Sequence, residues 1–495
     1  MASARDSQSS QSVSASTPAI IAESDTPCAV CRRPRCQLQS HKAYLAGQRR
    51  GGDPKPGADK PRRPPYLDDL RLPDTSYSRS YAFTRALPST VPHSVSSGRL
   101  DGFHDLPVPG GHQPELHHAV YSLLNFKIGA ATAFPLPVGL AVNDIGGSMT
   151  MPVMTDTSLC LSVIAAWRAV QILIGQAPEY LYLSYEAQAF QSLRKQLLDQ
   201  GPGGVTDQAV MAAALLWATS TMFAQAEALR RHAAGVRALV MARRGLDNLG
   251  YAGSVKQLIL WADFLTAQFL GEDVSFKDVG PMTPMPVSLV KLRNSIVIPP
   301  PFDCLLPQTL KAAQDLRLLL ISHDHAMRTG RISIAEYKAL MSLLNQSTIN
   351  RIGLEVRYKN SKTIDECVVL AMNLLRFTVL FHAGPLFIIV AKVIERLRTA
   401  LVRSGVDQWL SCIDIFIWAC FVGMVNNFEN QNREHFVNMA GRALTIKYKN
   451  RWPGDWRDDI LSVLRSFLWS DAILTDLFPK ACQWIERPMS SPDTA

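Results

Sequence analysis

Between residues 224 and 265 the chain reads AQAEALRRHAAGVRALVMARRGLDNLGYAGSVKQLILWADFL, a stretch in which a helical period runs, stops and resumes. Leu229, Ala233, Val236, Leu239 and Val240 recur at three- and four-residue steps, while Arg230, Arg231 and Arg237 fall on the opposite flank. That spacing predicts a helix with one buried stripe. Arg243 and Arg244 bring cations to its C-terminal turn, and Gly245 supplies a residue free to take positive φ, so the chain is expected to stop and turn over 246–250, closing at Gly250. The period restarts with Leu258, Ile259, Trp261, Ala262 and Leu265, with Trp261 wedged between neighbouring helices. The unit reads as a helical hairpin whose structural corner is Gly245, Gly250 and Trp261.

The same punctuation continues on both sides. A helix is predicted over 157–175, ending at glycine, another with Pro178 in its first turn up to Gly201, and a third from the N-cap residue Thr206 through Trp217. Residues 134–156 read as a loop. Ser333-Ile-Ala-Glu336 and Thr363-Ile-Asp-Glu366 have capping-box form. Further helices are predicted over about 363–382, 386–404, 407–427, 431–449, 456–470 and 480–486. Pro281, Pro284, Pro286, Pro299, Pro300, Pro301 and Pro307 mark a crossover at 272–307, the best internal boundary. Alternating strand text and fixed repeats are both lacking, so the expected fold is all-α, an irregular multi-helix array over 113–487. Residues 1–112, rich in Ser, Pro, Gly and Arg with few bulky apolar side chains, and residues 488–495 are expected to be disordered, because they bury too little to offset ordering entropy.

Composition supports a large core: 47% of the 495 residues are hydrophobic and 19% charged. Three apolar runs, 209–226, 367–394 and 409–425, have the length of membrane spans. The second is interrupted by Asn373, Arg376, His382, Pro385 and Lys392, the third contains Asp414, and the first is rich in small residues, so all three are expected to be core helices with no membrane partner. The first residues lack the basic start and apolar stretch of a secretory signal, and six of the nine cysteines stand singly in helical text, which fits a reducing compartment. The formal charge of +9 is concentrated: residues 28–63 hold ten Lys and Arg against Asp53 and Asp59, a local +8. Arg32, Arg33, Arg35, Arg49, Arg50, Arg62 and Arg63 in that segment are candidate phosphate contacts, weak and indifferent to sequence, with a solvated basic linker as the alternative.

The helix carrying His232, the Ala-Arg-Arg-Gly-Leu-Asp-Asn-Leu-Gly corner and the Leu-Ile-Leu-Trp-Ala-Asp helix together resemble the fungal-specific transcription factor domain, the regulatory region of zinc-binuclear-cluster activators. The resemblance extends to the 182–194 helix and to Phe467-Leu-Trp469, and covers most of 115–486. It implies a helical regulatory body, a nuclear location, protein partners such as the transcription machinery or a DNA-binding protein, and signals received through small ligands or partners; the body itself is expected to be a monomer or a homodimer.

The DNA-reading module of such activators needs six thiolates for two zinc ions. Here the cysteines give one C-x2-C-x4-C half, Cys28, Cys31 and Cys36, and the next, Cys160, is already in helical text. A binuclear cluster therefore cannot form from this chain, and a truncated 5′ end is one expectation that would account for it. Cys28, Cys31, Cys36 and His41 do keep the 2-4-4 spacing of a zinc knuckle, so zinc is the one cofactor admitted, against a remnant or chance cluster as the bland alternative. His323-Asp324-His325 sets its histidines at i and i+2, too divergent to chelate one ion, and reads as a helix surface; His112, His117 and His118 read as capping or packing groups. Nucleophile elbows, phosphate loops and H-E-x-x-H are all absent, so no enzyme is expected. The functional expectation is a nuclear regulator without its own zinc cluster; a non-catalytic interaction scaffold outside transcription is the alternative.

Overall fold

The computed structural model describes residues 105–125, 133–134 and 148–486, apart from 174, 202–203, 224, 299–303, 362, 382–387 and 427–429. Among these residues the fold is all-α, with seventeen α-helices and no strand. The first half contains α1 (Pro114–Asn125), α2 (Ser148–Thr155), α3 (Thr157–Leu173), α4 (Glu179–Gln200), α5 (Asp207–Ser220), α6 (Ala226–Ala242) and α7 (Ser254–Leu270). After the crossover come α8 (Val287–Ser295), α9 (Pro307–Thr329), α10 (Ile334–Tyr358), α11 (Ile364–Val379), α12 (Ile388–Ser404), α13 (Ile413–Val425), α14 (Asn430–Lys447), α15 (Trp456–Ser466), α16 (Asp471–Leu474) and α17 (Phe478–Glu486).

Local chemistry sets the helix limits. Thr206 caps α5 by accepting the Ala209 N–H at 3.2 Å, and Ser333 and Glu336 close a full capping box on α10. The Glu366 carboxylate of the second such motif accepts the Asn360 N–H and the Arg403 guanidinium, each at 2.9 Å, so it ties α11 to α12. Within the segment read as a loop, Ser148–Thr155 is helical despite Pro152, and Asp156 accepts the Leu159 N–H at 2.8 Å to start α3.

The α6–α7 corner differs from its sequence reading in one respect. The left-handed cap is Arg244, at φ 63°, and Gly245 follows at φ 111°, ψ 170°. Its N–H returns to the Val240 carbonyl at 2.9 Å, which completes the wrap around the helix end. Gly250 has φ −76° and serves a different need: its N–H meets Asp207 Oδ2 at 3.1 Å, and a Cβ there would lie 2.6 Å from that oxygen. Asp207 also pairs with Arg243 at 2.9 Å, so one carboxylate holds both ends of the corner. Trp261 is buried.

Buried apolar side chains form one connected cluster from Leu106 to Ile485. In the first half α3 packs against α1, α2, α4 and α5; α7 lies on α5 and α6 and reaches across to α10 and α12. The crossover is pinned as it passes: Asp263 accepts the Ser275 and Phe276 N–H groups at 3.0 and 2.9 Å, and Thr283 N–H donates to Ser342 at 3.1 Å. The stretch 408–425 is long and apolar enough to cross a membrane, yet 72% of it is buried inside the body. Trp418 there donates to the Leu468 carbonyl at 2.7 Å, and Phe421 stacks on Phe478, so it packs as a core segment.

Only one residue of His323-Asp324-His325 lies on the surface. His323 is fully buried beside Phe134, and Asp324 accepts the Ser470 hydroxyl at 2.5 Å and the Asp471 N–H at 2.7 Å; His325 alone is exposed. A carboxylate one position away had a helix start to cap, which local spacing does not reveal.

Candidate functional site

Where α7, α10, α11 and α12 meet, the core turns polar. Arg351 and Glu355, one turn apart on α10, and Asn373 and Arg376 on α11 are all buried, and Arg351, Asn373 and Arg376 have no measurable exposure. Helical spacing puts each pair on a single face. Gln268, near the end of α7, is buried against them. Its side-chain oxygen accepts Arg376 Nη2 at 2.6 Å, and its amide nitrogen donates to Glu355 Oε2 at 3.3 Å. Asn373 Nδ2 donates to the same carboxylate oxygen at 2.6 Å. Arg396 of α12 donates to Glu355 Oε1 and to the Gln268 backbone carbonyl. Lys359 Nζ donates to the Gly271 carbonyl at 3.2 Å, so two cations meet the negative C-terminal end of α7.

The electrostatics are unbalanced. Two guanidiniums, Arg376 and Arg396, share the Glu355 carboxylate, and a third, Arg351, lies close enough to repel Arg376. Asp315, the carboxylate that acts on Arg351, is already held by Arg293 and Lys311, each at 2.9 Å. Burial pulls the Arg351 pKa down to about 10 against that attraction. Burial, with the repulsion of Arg351 added, drives Arg376 well below the usual arginine range. Arg376 lies over the Phe377 and Phe381 rings at 4.9 and 5.0 Å, which offsets part of the desolvation. Arg351 makes one hydrogen bond, from Nη2 to Thr348 Oγ1 at 3.3 Å. The Nε and Nη1 groups of both arginines, and Asn373 Oδ1, are buried without a partner.

No family model, curated protein or solved structure matches this chain. The site is therefore read from its own residues.

The residues singled out in the sequence lie elsewhere. Cys28, Cys31, Cys36 and His41, and Arg32, Arg33, Arg35, Arg49, Arg50, Arg62 and Arg63, fall outside the described residues. Among the described residues no three His, Cys, Asp or Glu side chains are grouped to hold a metal ion. Gly250 meets Asp207 just before α7, Gly245 lies in the corner that precedes it and Trp261 is midway along it, whereas the polar core is at its far end. Buried His117 meets the Gly111 carbonyl at 2.7 Å, and His118 packs edge-on to Trp167.

A second titratable face joins α4 to α6. Tyr182, Glu186 and Phe190 follow one another at four-residue steps on α4; Tyr182 donates to Glu186 at 2.5 Å and stacks on Phe223, and Phe190 stacks on His232 of α6 at 5.5 Å. Burial raises the Glu186 carboxyl to about 7, against the lowering effect of the Tyr182 hydroxyl, and lowers the His232 imidazole to about 4. Both groups are thus held neutral near pH 6.

Asn373 and Arg376 were visible in the sequence only as interruptions of an apolar run. For Arg351 and Glu355 the usable signal is position: with Leu340, Leu344 and Tyr358 they lie along one stripe of α10, so two charges sit where the period demands apolar residues.

Proposed function

We propose that this chain is a nuclear transcription regulator that acts through its helical body and has no zinc binuclear cluster of its own. The observation that carries the reading is the α6–corner–α7 hairpin, the segment that resembles the regulatory region of zinc-cluster activators. Its second helix packs against both halves of the body. A helix so placed couples a change on one side to the other. In this reading the body receives signals and engages protein partners, including one that reads DNA. The basic residues Arg32 to Arg63 add phosphate contact without sequence preference. The chain is non-catalytic.

The test tethers the full chain to a heterologous DNA-binding domain upstream of a reporter and follows the untethered, tagged chain in cells. Nuclear enrichment and a reproducible change in reporter output are expected. A cytoplasmic steady state with an unchanged reporter would overturn the reading in favour of a scaffold outside transcription.

A further inference from the structure

We infer that Arg351 and Arg376 form a buried receptor for a small oxyanion, a carboxylate or phosphate group carried by a low-molecular-weight ligand, set between α7, α10 and α11. The inference stands on the geometry of the polar core and does not rest on the regulatory reading.

Four N–H donors, Nε and Nη1 of each guanidinium, are buried with nothing to accept them. Leaving even one buried donor unmet is costly, and native structures leave few, so a concentration of four on two like-charged neighbours marks a missing partner. The chemistry of the missing partner follows from what is already present. Arg351 and Arg376 repel one another, Glu355 is shared among Gln268, Asn373 and Arg396, and Asp315 is taken by Arg293 and Lys311. The donors lack an acceptor, and the nearby carboxylates Glu355 and Asp315 are divided among other cations and donors; an oxyanion supplies both acceptor and charge. Guanidinium forks match the planar edges of carboxylate and phosphate better than a halide does. A neutral ligand or a water molecule would satisfy donors and leave the charge uncompensated.

Arg396 gives the network an outward side. Its side chain is 27% exposed, and it bridges Glu355 to the end of α7 beside Lys359. Two cations, Arg396 and Lys359, thus stand on that side of the network. The Phe377 and Phe381 rings lie 4.9 and 5.0 Å from the Arg376 guanidinium carbon and limit its freedom to move.

The experiment follows the melting midpoint of the full-length chain at constant ionic strength, with chloride replaced by millimolar inorganic phosphate in one arm and succinate in the other. A saturable rise of several degrees is expected in at least one arm, since a ligand that binds only the folded state stabilises it by mass action; the responding arm identifies the phosphate or carboxylate source. Arg376→Met and Arg351→Met keep much of the side-chain volume and should each weaken the response at least tenfold. The basic segment 28–63 also attracts anions, but a response arising there would persist in both variants, and persistence overturns the proposal. Absence of a saturable response in the wild-type chain, confirmed by calorimetric titration of both anions, overturns it as well and assigns the donors to water. Should either variant fail to fold, Arg396→Gln at the partly exposed edge provides the comparison, with weaker binding expected and unchanged affinity counting against the site.

Discussion

Arg376 donates a 2.6 Å hydrogen bond to the side-chain oxygen of Gln268, a residue 108 positions earlier on the far side of the proline-rich crossover. Gln268 also donates to Glu355 and accepts Arg396 through its backbone, so this one residue links α7 to α10, α11 and α12. The crossover therefore joins two halves whose polar groups depend on each other.

Glu355 is the counter-charge of that junction, and Glu355→Gln should be costly. The substitution nearly conserves volume but removes the carboxylate that Arg376 and Arg396 share, and breaking a buried ion pair from one side costs roughly 3–5 kcal/mol. A chemical-denaturation midpoint lowered to match is expected. A loss under about 1 kcal/mol would mean that water or an unrecognised anion already carries the compensation.

Helix limits were legible in the sequence wherever a side chain within a few residues sets them, as at Thr206 and Ser333. Ser148–Thr155 was not, because Pro152 and the neighbouring glycines carry the local signals of a loop. Arg244 carries no local signal for a left-handed conformation, whereas the glycine beside it does. The polar core was hidden for a different reason. Arg351, Glu355, Asn373 and Arg376 come from two helices, and their partners Gln268 and Arg396 from two more, so no local spacing contains the constellation. His323 and Asp324 show the same limit: Asp324 serves Ser470 and Asp471, about 146 positions away.

Glu186 and His232 should impose opposing pH dependences on stability. The Glu186 pKa rises from 4.5 to about 7 on folding, so its contribution is complete below pH 4.5 and is lost as pH rises toward 7. His232 falls from 6.5 to about 4, so its contribution is complete above pH 6.5 and is lost as pH drops toward 4. Between pH 4.5 and 6.5 the folded state keeps the glutamate proton and lacks the histidine proton, the unfolded state does the reverse, and the two effects offset. Glu186→Gln exposes the histidine: relative to wild type, its stability should climb through this window, gaining up to about 3 kcal/mol by pH 7.5 at about 1.4 kcal/mol per pH unit. Thermal melts from pH 4.5 to 7.5 check it, and parallel curves for the two proteins would refute the burial of Glu186.

Two adjacent substitutions at the α6–α7 corner should act in opposite directions. Arg244 takes φ 63°, which a side chain disfavours, so Arg244→Gly should stabilise by up to about 1 kcal/mol. Gly245, at φ 111° and ψ 170°, occupies a region open essentially to glycine alone, and Gly245→Ala should cost about 1–3 kcal/mol although nothing lies within 4 Å of the new methyl. Denaturation of the two variants side by side decides the matter. A harmless Gly245→Ala would place the corner in another backbone conformation.

The basic segment governs the last expectation, because charge without a metal frame binds nucleic acid in a recognisable way. Reading base edges requires side chains held in register within a groove, whereas Lys and Arg on a segment lacking a second cysteine half neutralise phosphates wherever they meet them. Duplex binding by the full chain should be weak and insensitive to sequence. Each phosphate neutralised releases counterion with a log–log salt slope of about −0.9, so a handful of contacts makes binding collapse as salt approaches the physiological range. Deleting residues 28–63, where the local charge is +8, should abolish it. The helical body, where cations such as Arg243, Arg396 and Arg403 are paired with Asp207, Glu355 and Glu366, should contribute little. A selection from random duplexes with the unaccompanied full chain is the decisive measurement. A recovered motif that survives physiological salt would show direct reading of sequence by this chain, and the partner that the proposed regulatory mechanism requires would no longer be needed.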